Sequence, residues 1–525
     1  MRSKTAHWRV FLTAWVALSL MSIAWALASP LGSGPDEPAH IIKAASVVRG
    51  VLVGPQGDTG NIVDVPRAAA WTATQDCYRF DLNQDAGCAP GLASSGSETV
   101  TTETSAGYNN PVYYAVVGWP SLFLTGETGL YGVRVVSALI SSAMLACAFM
   151  LIAGWKRRSV PAVGLLVALT PMVIYVNGVV NPSAFEISGS LAVFAATLSI
   201  VLHPDRQLLA QRLTILVVSA VLALGARTVS PLWVALGIAL PLLLVGWRGL
   251  APLLCNRAVI VSSTVVALVA IAAVAWNPIS TRLAVDARTT PSSTDGFEVF
   301  PDVGSSPLFG FMKMITLSVT NGNDMIGNFG WMDTPVPDTT IVVWTVLLGA
   351  LVLAAIYLLR RRRAVFGVAL VLCFFFVPPL IQAAFITTGG YIWQGRYGLP
   401  TLTMLAFGLA AVVAGAIPRR TSGAIRSVGS PTRIVVVIAV AFVYAQSYAF
   451  VSALHRFTVG SSTAWKQMIT EPAWSPPGGV ILSAALFVVG SLLLFVVVMS
   501  LHLTKNPFDD DEKEGRREDL TPRTV

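Results

Sequence analysis

Residues 10–40 decide the fold class, and they read VFLTAWVALSLMSIAWALASPLGSGPDEPAH. Val10–Ala28 is an apolar run long enough to cross a bilayer as a helix. The polar stretch Gly32–His40 follows almost at once, so its adjacent carboxylates, Asp36 and Glu37, are expected where a first membrane span reaches water. The sequence therefore predicts a transmembrane helix followed by a polar cluster at the membrane boundary.

A second, amphipathic helix is predicted over residues 39–49, with His40 and Lys43 on one stripe. If this helix lies on the membrane face, Asp36, Glu37 and His40 converge within about one turn. Such a constellation is the best candidate for chemistry in the chain. The alternative is that the two acids only stabilise a helix N-terminus, where carboxylates are favourable anyway.

The composition extends the membrane prediction to the whole chain. Hydrophobic residues make up 54% and charged residues 12% of the 525 positions, and the mean hydropathy is +0.68. A soluble domain carries about 25% charged residues. We therefore predict an all-α polytopic membrane protein with about twelve transmembrane helices, at residues 10–29, 130–153, 160–179, 184–202, 211–226, 231–247, 258–276, 340–359, 364–386, 398–417, 433–452 and 479–502.

The basic residues give an orientation for these spans. They precede the first span and then recur in alternate short connections, at residues 156–158, 206–212, 248–257, 360–363 and 419–433. By the positive-inside rule both termini are expected on the cytoplasmic side of the membrane. The net charge of +8 therefore reflects the membrane topology and does not indicate binding to nucleic acid. The N-terminus also resembles a cleavable signal peptide, although the length of its apolar run favours a retained anchor.

Residues 1–504 are predicted to form one transmembrane domain, followed by a disordered cytoplasmic tail at 505–525. Its large loops outside the cytoplasm are 30–108, 277–338, 387–400 and 455–478. The segment 309–319 is amphipathic and is expected on the membrane surface.

The first large loop has further features. Cys77 and Cys88 are predicted to form a disulfide in an oxidising compartment, the alternative being two free thiols. The Ser/Thr/Gly-rich segment 92–107 is expected to be a mobile flap or a linker. Tyr113, Tyr114 and Trp119 are interpreted as interfacial anchors.

Several charged residues fall near the outer ends of predicted spans. Arg134 would either reach headgroups or hold a phosphate. Arg396 is the preferred outside cation for a lipid phosphate, because a guanidinium can fork onto phosphate oxygens. Glu186 either has a functional role or stabilises a helix N-terminus. No nucleotide-binding loop, dinucleotide fingerprint, zinc spacing or G-x-S-x-G occurs in the sequence.

Four motifs carry a family resemblance: GSGPDEPAH after the first span, YNNPVYY at 108–114, GNFGWMD at 327–333 and QGRYGLP at 394–400. In this order they resemble a domain-of-unknown-function family of large bacterial membrane proteins. That family is similar to the GT-C glycosyltransferases, whose bundle carries an acidic motif in the first outside loop. The resemblance implies a polyprenyl-phosphate sugar donor. An acid would be expected after Asn181-Pro182, where this chain has Ser183.

The favoured hypothesis is sugar transfer to a cell-envelope glycan or glycolipid acceptor at the outer face of the bilayer. Asp36 would act as the general base. Glu37 or His40 would orient Asp36 or bind a divalent cation, and the sequence leaves open whether such a cation is required. A single base with direct displacement predicts inversion. The leaving phosphate would be held first by Arg396, and the other donor-binding candidates are Lys43, Arg134, Gln394 and Tyr397.

Two other functional classes remain open from the sequence. One is a transporter or flippase for a lipid-linked saccharide, with Glu186 and Arg227 lining a path. The other is a non-catalytic scaffold in envelope assembly, which would tolerate loss of Asp36.

Overall fold

The computed structural model describes residues 2–285, 301–417 and 431–504. The predicted tail and the basic residues Arg419, Arg420 and Arg426 lie outside this part of the chain. Its helices are α1 (Arg2–Ala28), α2 (Glu37–Val47), α3 (Arg67–Trp71), α4 (Pro111–Gly118), α5 (Gly126–Ala153), α6 (Ser159–Ala168), α7 (Pro171–Gly178), α8 (Ser183–Leu202), α9 (Arg206–Leu224), α10 (Ser230–Leu242), α11 (Trp247–Leu254), α12 (Arg257–Leu283), α13 (Pro307–Thr316), α14 (Ser318–Gly327), α15 (Asp338–Leu358), α16 (Arg362–Gly389), α17 (Leu399–Ala416), α18 (Pro431–Val459), α19 (Gln467–Thr470) and α20 (Gly479–Leu503).

The all-α polytopic prediction is confirmed. Within the described ranges, ten helices are long and apolar enough to cross a membrane. The predicted third span is instead the pair α6 and α7, bent by 63°. The predicted sixth span is α10, which has only 13 residues. Each of the twelve predicted apolar segments is thus helical, and two of them are not single full-length spans.

The bend between α6 and α7 is stabilised by a side chain of α18 and by a backbone carbonyl of α14. Gln446 of α18 donates a hydrogen bond to the carbonyl of Leu169 at 2.7 Å. Thr170, which caps α7, donates its hydroxyl hydrogen to the carbonyl of Met325 in α14, also at 2.7 Å. Backbone groups freed by a helix break need such partners when they are buried. The break is therefore a packed part of the bundle.

Helices α8 and α17 form the centre of the bundle, where nearly all of their residues are buried. Around them, α1 packs against α5 and α20, and α8 packs against α5, α9 and α10. Helices α12 and α15 bury few residues. Their exposed apolar surface is the expected lipid-facing surface of a membrane bundle.

The four large loops meet at one end of the bundle, which we call the loop face. Asp36 contacts Arg396, and the backbone N–H of Phe80 donates to Asp333 at 2.8 Å. Arg456 donates to the carbonyl of Tyr78 at 2.6 Å. These contacts join the first loop to the other three. The described basic residues Arg157, Arg158 and Arg363 lie at the opposite end, where they bind carbonyls at the C-termini of α17 and α20.

The first loop is more ordered than the sequence indicates. Strand β1 (Asn61–Pro66) pairs antiparallel with β2 (Thr99–Thr104), from Asn61 opposite Thr104 to Pro66 opposite Thr99. The expectation of a flap or linker over 92–107 is therefore wrong for its second half. Threonine-rich runs favour strands when a partner strand is available. A second short pair joins β3 (Asn328–Phe329) and β4 (Thr334–Pro335).

The remaining loop predictions have mixed outcomes. Cys77 and Cys88 form a disulfide, with their Cα atoms 6.1 Å apart. The amphipathic segment 309–319 is divided between α13 and α14, and Leu308 and Met312 expose apolar surface there. The interfacial interpretation of Tyr113 and Tyr114 is wrong, because both rings are fully buried.

Candidate functional site

The adjacent acids Asp36 and Glu37 point in different directions. Asp36 caps α2 with φ of 59° and ψ of 11°, a left-handed conformation that aspartate tolerates better than most residues. Glu37 begins the helix and is fully buried, whereas the Asp36 side chain is 46% exposed. The predicted convergence of the two carboxylates is therefore wrong, because the backbone turn at Asp36 separates them.

Glu37 forms a buried ion pair with Arg134. Arg134 donates from Nε to Oε1 at 2.7 Å and from Nη2 to Oε2 at 2.5 Å. The backbone N–H groups of Gly34 and Val180 donate to the same carboxylate at 3.0 and 2.9 Å. The other Arg134 N–H groups donate to the carbonyls of residues 26, 29 and 30. All five N–H groups of Arg134 are used, so the predicted phosphate-binding role of Arg134 does not fit.

Lys43 and His40 also have internal partners. The Lys43 ammonium group is buried and donates to the carbonyls of Leu52 and Gly107. His40 Nδ1 lies 2.9 Å from the hydroxyl of Tyr114, to which Asn109 also donates at 2.9 Å. Burial lowers the pKa of His40 to about 3, so its imidazole is neutral near pH 7. We therefore assign both residues to support of α2.

Asp36 pairs instead with Arg396, which lies in the 3-10 turn Gly395–Gly398 before α17. Arg396 Nη2 donates to Asp36 Oδ2 at 2.6 Å, and the Arg396 side chain is only 1% exposed. Burial favours the protonated form of Asp36, but the neighbouring Arg396 guanidinium outweighs it, and the pKa of Asp36 is lowered from its ordinary value. Asp36 is thus an ionised carboxylate that remains partly accessible.

Arg396 keeps unused hydrogen-bonding capacity. Its Nε and Nη1 are buried, and neither has a hydrogen-bond partner among the described residues. A buried guanidinium normally satisfies its donors, so two open positions indicate room for an anionic oxygen or water. The turn reaches this position because Gly395 packs closely on α14, where a Cβ would lie 2.4 Å from the Cβ of Asp324.

Tyr397 continues the site on the other side of Arg396. The guanidinium carbon of Arg396 lies 5.1 Å from the centroid of the Tyr397 ring, and that of Arg227 lies 4.4 Å from it. Arg227 also donates from Nη1 to the hydroxyl of Ser183 at 2.8 Å. Two cations therefore flank one tyrosine ring.

Glu186 lies almost one turn beyond Ser183 along α8. It is 3% exposed, and its Oε1 accepts a hydrogen bond from Ser230 at 3.0 Å. The sequence identified Glu186 as a functional or helix-capping acid, and Glu186 and Arg227 as residues of a transport path. Their closeness to Tyr397 depends on packing among α8, α10 and α17, which no local pattern reveals.

A cavity of about 290 Å³ lies next to Tyr397. Its walls come from α8, the connection before α10, α10 itself, the end of α16 and the segment before the 3-10 turn. The lining residues are Asn109, Glu186, Arg227, Thr228, Val229, Trp233, Ile381, Gln382, Phe385, Ile392, Trp393 and Tyr397. Gln394, predicted from the same motif, caps the turn, and its side-chain oxygen is buried with no partner in the described structure.

The residues predicted to hold a divalent cation do not form a metal-binding set. Within the described ranges no group of three or more His, Cys, Asp and Glu side chains is arranged to hold a metal ion. The oxygens of Glu37 are committed to Arg134 and the backbone. The arrangement at Asp36 offers a single carboxylate to accept a proton and a cation to hold an anion.

These features define the class of protein: a polytopic helical membrane protein with an ionised carboxylate, paired with a buried arginine, at its loop face. A family model described as predicted membrane protein (DUF2142) matches residues 19–406. The chain belongs to this family, and the matched region includes both Asp36 and Arg396.

Two other comparisons complete the picture. No curated protein matches the chain. Among solved structures, the chain is similar to the crystal structure of ArnT from Cupriavidus metallidurans in the apo state, with 14% sequence identity and a TM-score of 0.42. The similarity covers 94% of this chain and 76% of that chain.

Proposed function

We propose that this protein is a GT-C-type membrane glycosyltransferase. It transfers a sugar from a polyprenyl-phosphate donor to a cell-envelope glycan or glycolipid acceptor. The observation that carries the proposal is the pair formed by Asp36 and Arg396, in which an accessible carboxylate adjoins a guanidinium whose Nε and Nη1 have no hydrogen-bond partner among the described residues. The motif order that resembles the GT-C-related family adds independent support.

In the proposed reaction Asp36 accepts the proton of an acceptor hydroxyl. The acceptor oxygen then attacks the anomeric carbon, a new carbon–oxygen bond forms, and the bond from that carbon to the phosphate oxygen breaks. The electron pair of the broken bond goes to the lipid phosphate, whose charge the Arg396 guanidinium stabilises. All charges and atoms are accounted for by a carboxylate, a cation and two substrates.

The reaction is expected to invert the anomeric centre. Retention requires a second carboxylate that acts as a nucleophile, about 5 Å from the first. Glu37 is unsuited to that role because its oxygens are bound to Arg134 and to backbone N–H groups. A single displacement with Asp36 as base is the simpler route.

We further propose that the loop face lies outside the bacterial cytoplasmic membrane. Arg157 and Arg158 lie at the opposite end of the bundle, which the positive-inside rule assigns to the cytoplasm together with both termini. The disulfide of the loop face fits an oxidising compartment. A prenyl donor would approach from the bilayer.

The test uses purified wild type, Asp36→Asn and, as a matched acid-to-amide control, Glu98→Gln. Glu98 is 57% exposed and belongs to a surface ion pair. Each protein is incubated with a panel of prenyl-phosphate sugars and envelope glycan acceptors, and products are detected by mass spectrometry. We expect transfer by the wild type and by Glu98→Gln, and none by a folded Asp36→Asn.

Equal transfer by Asp36→Asn would overturn the assignment of the base. A complete lack of transfer by all three, combined with lipid-linked saccharide flipping in reconstituted vesicles, would favour the transporter class instead. The bent α6–α7 pair gives no independent support to transport, because a backbone carbonyl of α14 and a side chain of α18 hold its break.

A further inference from the structure

The cavity beside Tyr397 contains polar groups that the proposed chemistry does not use. Gln382 is 1% exposed and Trp393 is 8% exposed. The Gln382 Oε1 and the Trp393 Nε1 are buried, and neither has a hydrogen-bond partner among the described residues. Buried acceptors and donors of this kind are normally satisfied. Two residues that line the cavity therefore retain one unused acceptor and one unused donor.

Aromatic rings form much of the remaining wall. Trp393 lies at 90° to Tyr397, with the ring centroids 5.7 Å apart, and Trp233 and Phe385 complete the apolar surface. An apolar wall with a few placed polar groups is typical of a small-molecule site. A sugar ring matches this lining, since it presents C–H groups on its faces and hydroxyls at its edge.

The two charged side chains of the cavity have partners within the protein. Arg227 contacts Tyr397 and Ser183, and Glu186 accepts from Ser230. A charged sugar would lose its hydration on entering the apolar cavity. The open groups, an amide oxygen and an indole N–H, are neutral.

We propose that this cavity is the sugar subsite of the donor and that it selects a single uncharged monosaccharide. The inference rests on the proposed function, which places the donor phosphate on Arg396, the residue next to Tyr397. A volume of about 290 Å³ is at the lower end of the roughly 300–1,000 Å³ usual for ligand sites. It accommodates one sugar ring in preference to a longer glycan.

The test measures binding by isothermal titration calorimetry of the full-length protein in detergent. The probes are farnesyl phosphate alone and farnesyl phosphate linked to mannose, galactose, arabinose, glucosamine or glucuronic acid. We expect at least one neutral sugar to increase affinity about tenfold over farnesyl phosphate, as one or two hydrogen bonds allow. The charged sugars should bind no more tightly than farnesyl phosphate.

Trp393→Phe keeps an aromatic ring and removes only the indole N–H. It should reduce the gain from the neutral sugar roughly threefold to tenfold and leave the affinity for farnesyl phosphate unchanged. Gln382→Met is the second variant, for use if Trp393→Phe folds poorly. Trp119→Phe is the control, because the Trp119 ring is 50% exposed and lies outside the cavity.

Two outcomes would overturn the subsite. One is equal affinity of the wild type for farnesyl phosphate and for every neutral-sugar probe, or tighter binding of a charged sugar. The other is a sugar gain that survives both Trp393→Phe and Gln382→Met. Failure of the proposed function is seen separately, as unchanged farnesyl phosphate binding in Arg396→Gln.

Discussion

Two ion pairs that begin at neighbouring residues differ in almost every respect. The Glu37–Arg134 pair is fully buried, and its carboxylate and guanidinium are satisfied by each other and by backbone groups. In the Asp36–Arg396 pair the carboxylate is 46% exposed, and two guanidinium nitrogens have no partner in the described residues. The first pair is complete without a ligand, and the second is not.

This difference shows how to separate a structural charge pair from a functional one. A buried ion pair whose hydrogen-bonding groups are all used has a structural role, because loss of either partner leaves an uncompensated buried charge. A pair with open donors and solvent access can exchange its partner for a substrate. Variants of the two pairs should therefore affect different measurements.

The largest expected effect is on catalysis at Asp36. Asp36→Asn should lower the transfer rate roughly 10²- to 10⁴-fold, because it removes a general base. Its free energy of unfolding should fall by less than that of Glu37→Gln, because asparagine also tolerates a left-handed backbone and the Asp36 carboxylate is 46% exposed. Asp36→Ala should be equally inactive and about 1–2 kcal/mol less stable, because alanine is strained at a φ of 59°. Rates and thermal unfolding in detergent check both statements, and a well-folded, active Asp36→Asn would contradict them.

The second effect is on stability at Glu37. Glu37→Gln should reduce the free energy of unfolding by about 3–5 kcal/mol, because Arg134 remains charged and buried without its partner. The control is Arg67→Gln in the exposed pair with Glu98, which should cost about 0–1 kcal/mol. Chemical unfolding monitored by tryptophan fluorescence gives both values. Similar free energies of unfolding for Glu37→Gln and Arg67→Gln would contradict the structural role assigned to the Glu37–Arg134 pair.

A smaller effect is expected on ligand affinity at Arg396. Arg396→Lys should weaken farnesyl phosphate binding about tenfold, because a lysine cannot offer two forked N–H groups to a phosphate. Arg134→Lys should instead lower stability while the folded fraction binds farnesyl phosphate as the wild type does. Titration calorimetry measures the farnesyl phosphate affinity of both variants. Weaker binding by Arg134→Lys, with unchanged binding by Arg396→Lys, would assign phosphate binding to Arg134 instead of Arg396.

The smallest effect concerns pH. Because Arg396 holds the pKa of Asp36 below its ordinary value, the carboxylate is charged at neutral pH, and kcat/KM should fall only as pH drops through that lowered pKa. The stability from this pair is likewise present above the unfolded-state pKa and is lost as pH falls through the folded-state pKa. Arg396→Gln should move the acid limb of the rate profile to higher pH. If the acid limb of the rate profile stays at the same pH in Arg396→Gln, a group other than Asp36 determines it.

The fold was largely predictable from the sequence, because backbone groups in a bilayer must be satisfied within helices and long apolar runs therefore mark spans. The site was predictable only in part. Asp36 and Arg396 were identified by residue type and position, but their contact joins residues 360 positions apart. The divergence of Asp36 from Glu37 depends on one backbone angle and on a partner 97 positions away. Tyr114 was misinterpreted because its partners, His40 and Asn109, come together only in three dimensions.

The packing of α1 against α20 has a consequence for biosynthesis. At their crossing Gly490 approaches so closely that a Cβ there would lie 2.7 Å from the carbonyl oxygen of Ala17, a small-residue contact of the kind that joins helices in membranes. Helix α1 thus receives one of its main neighbours from a helix that is synthesised much later. Until α20 emerges, this face of α1 is covered by lipid or by an insertion factor, and a chain stopped before residue 479 lacks the contact.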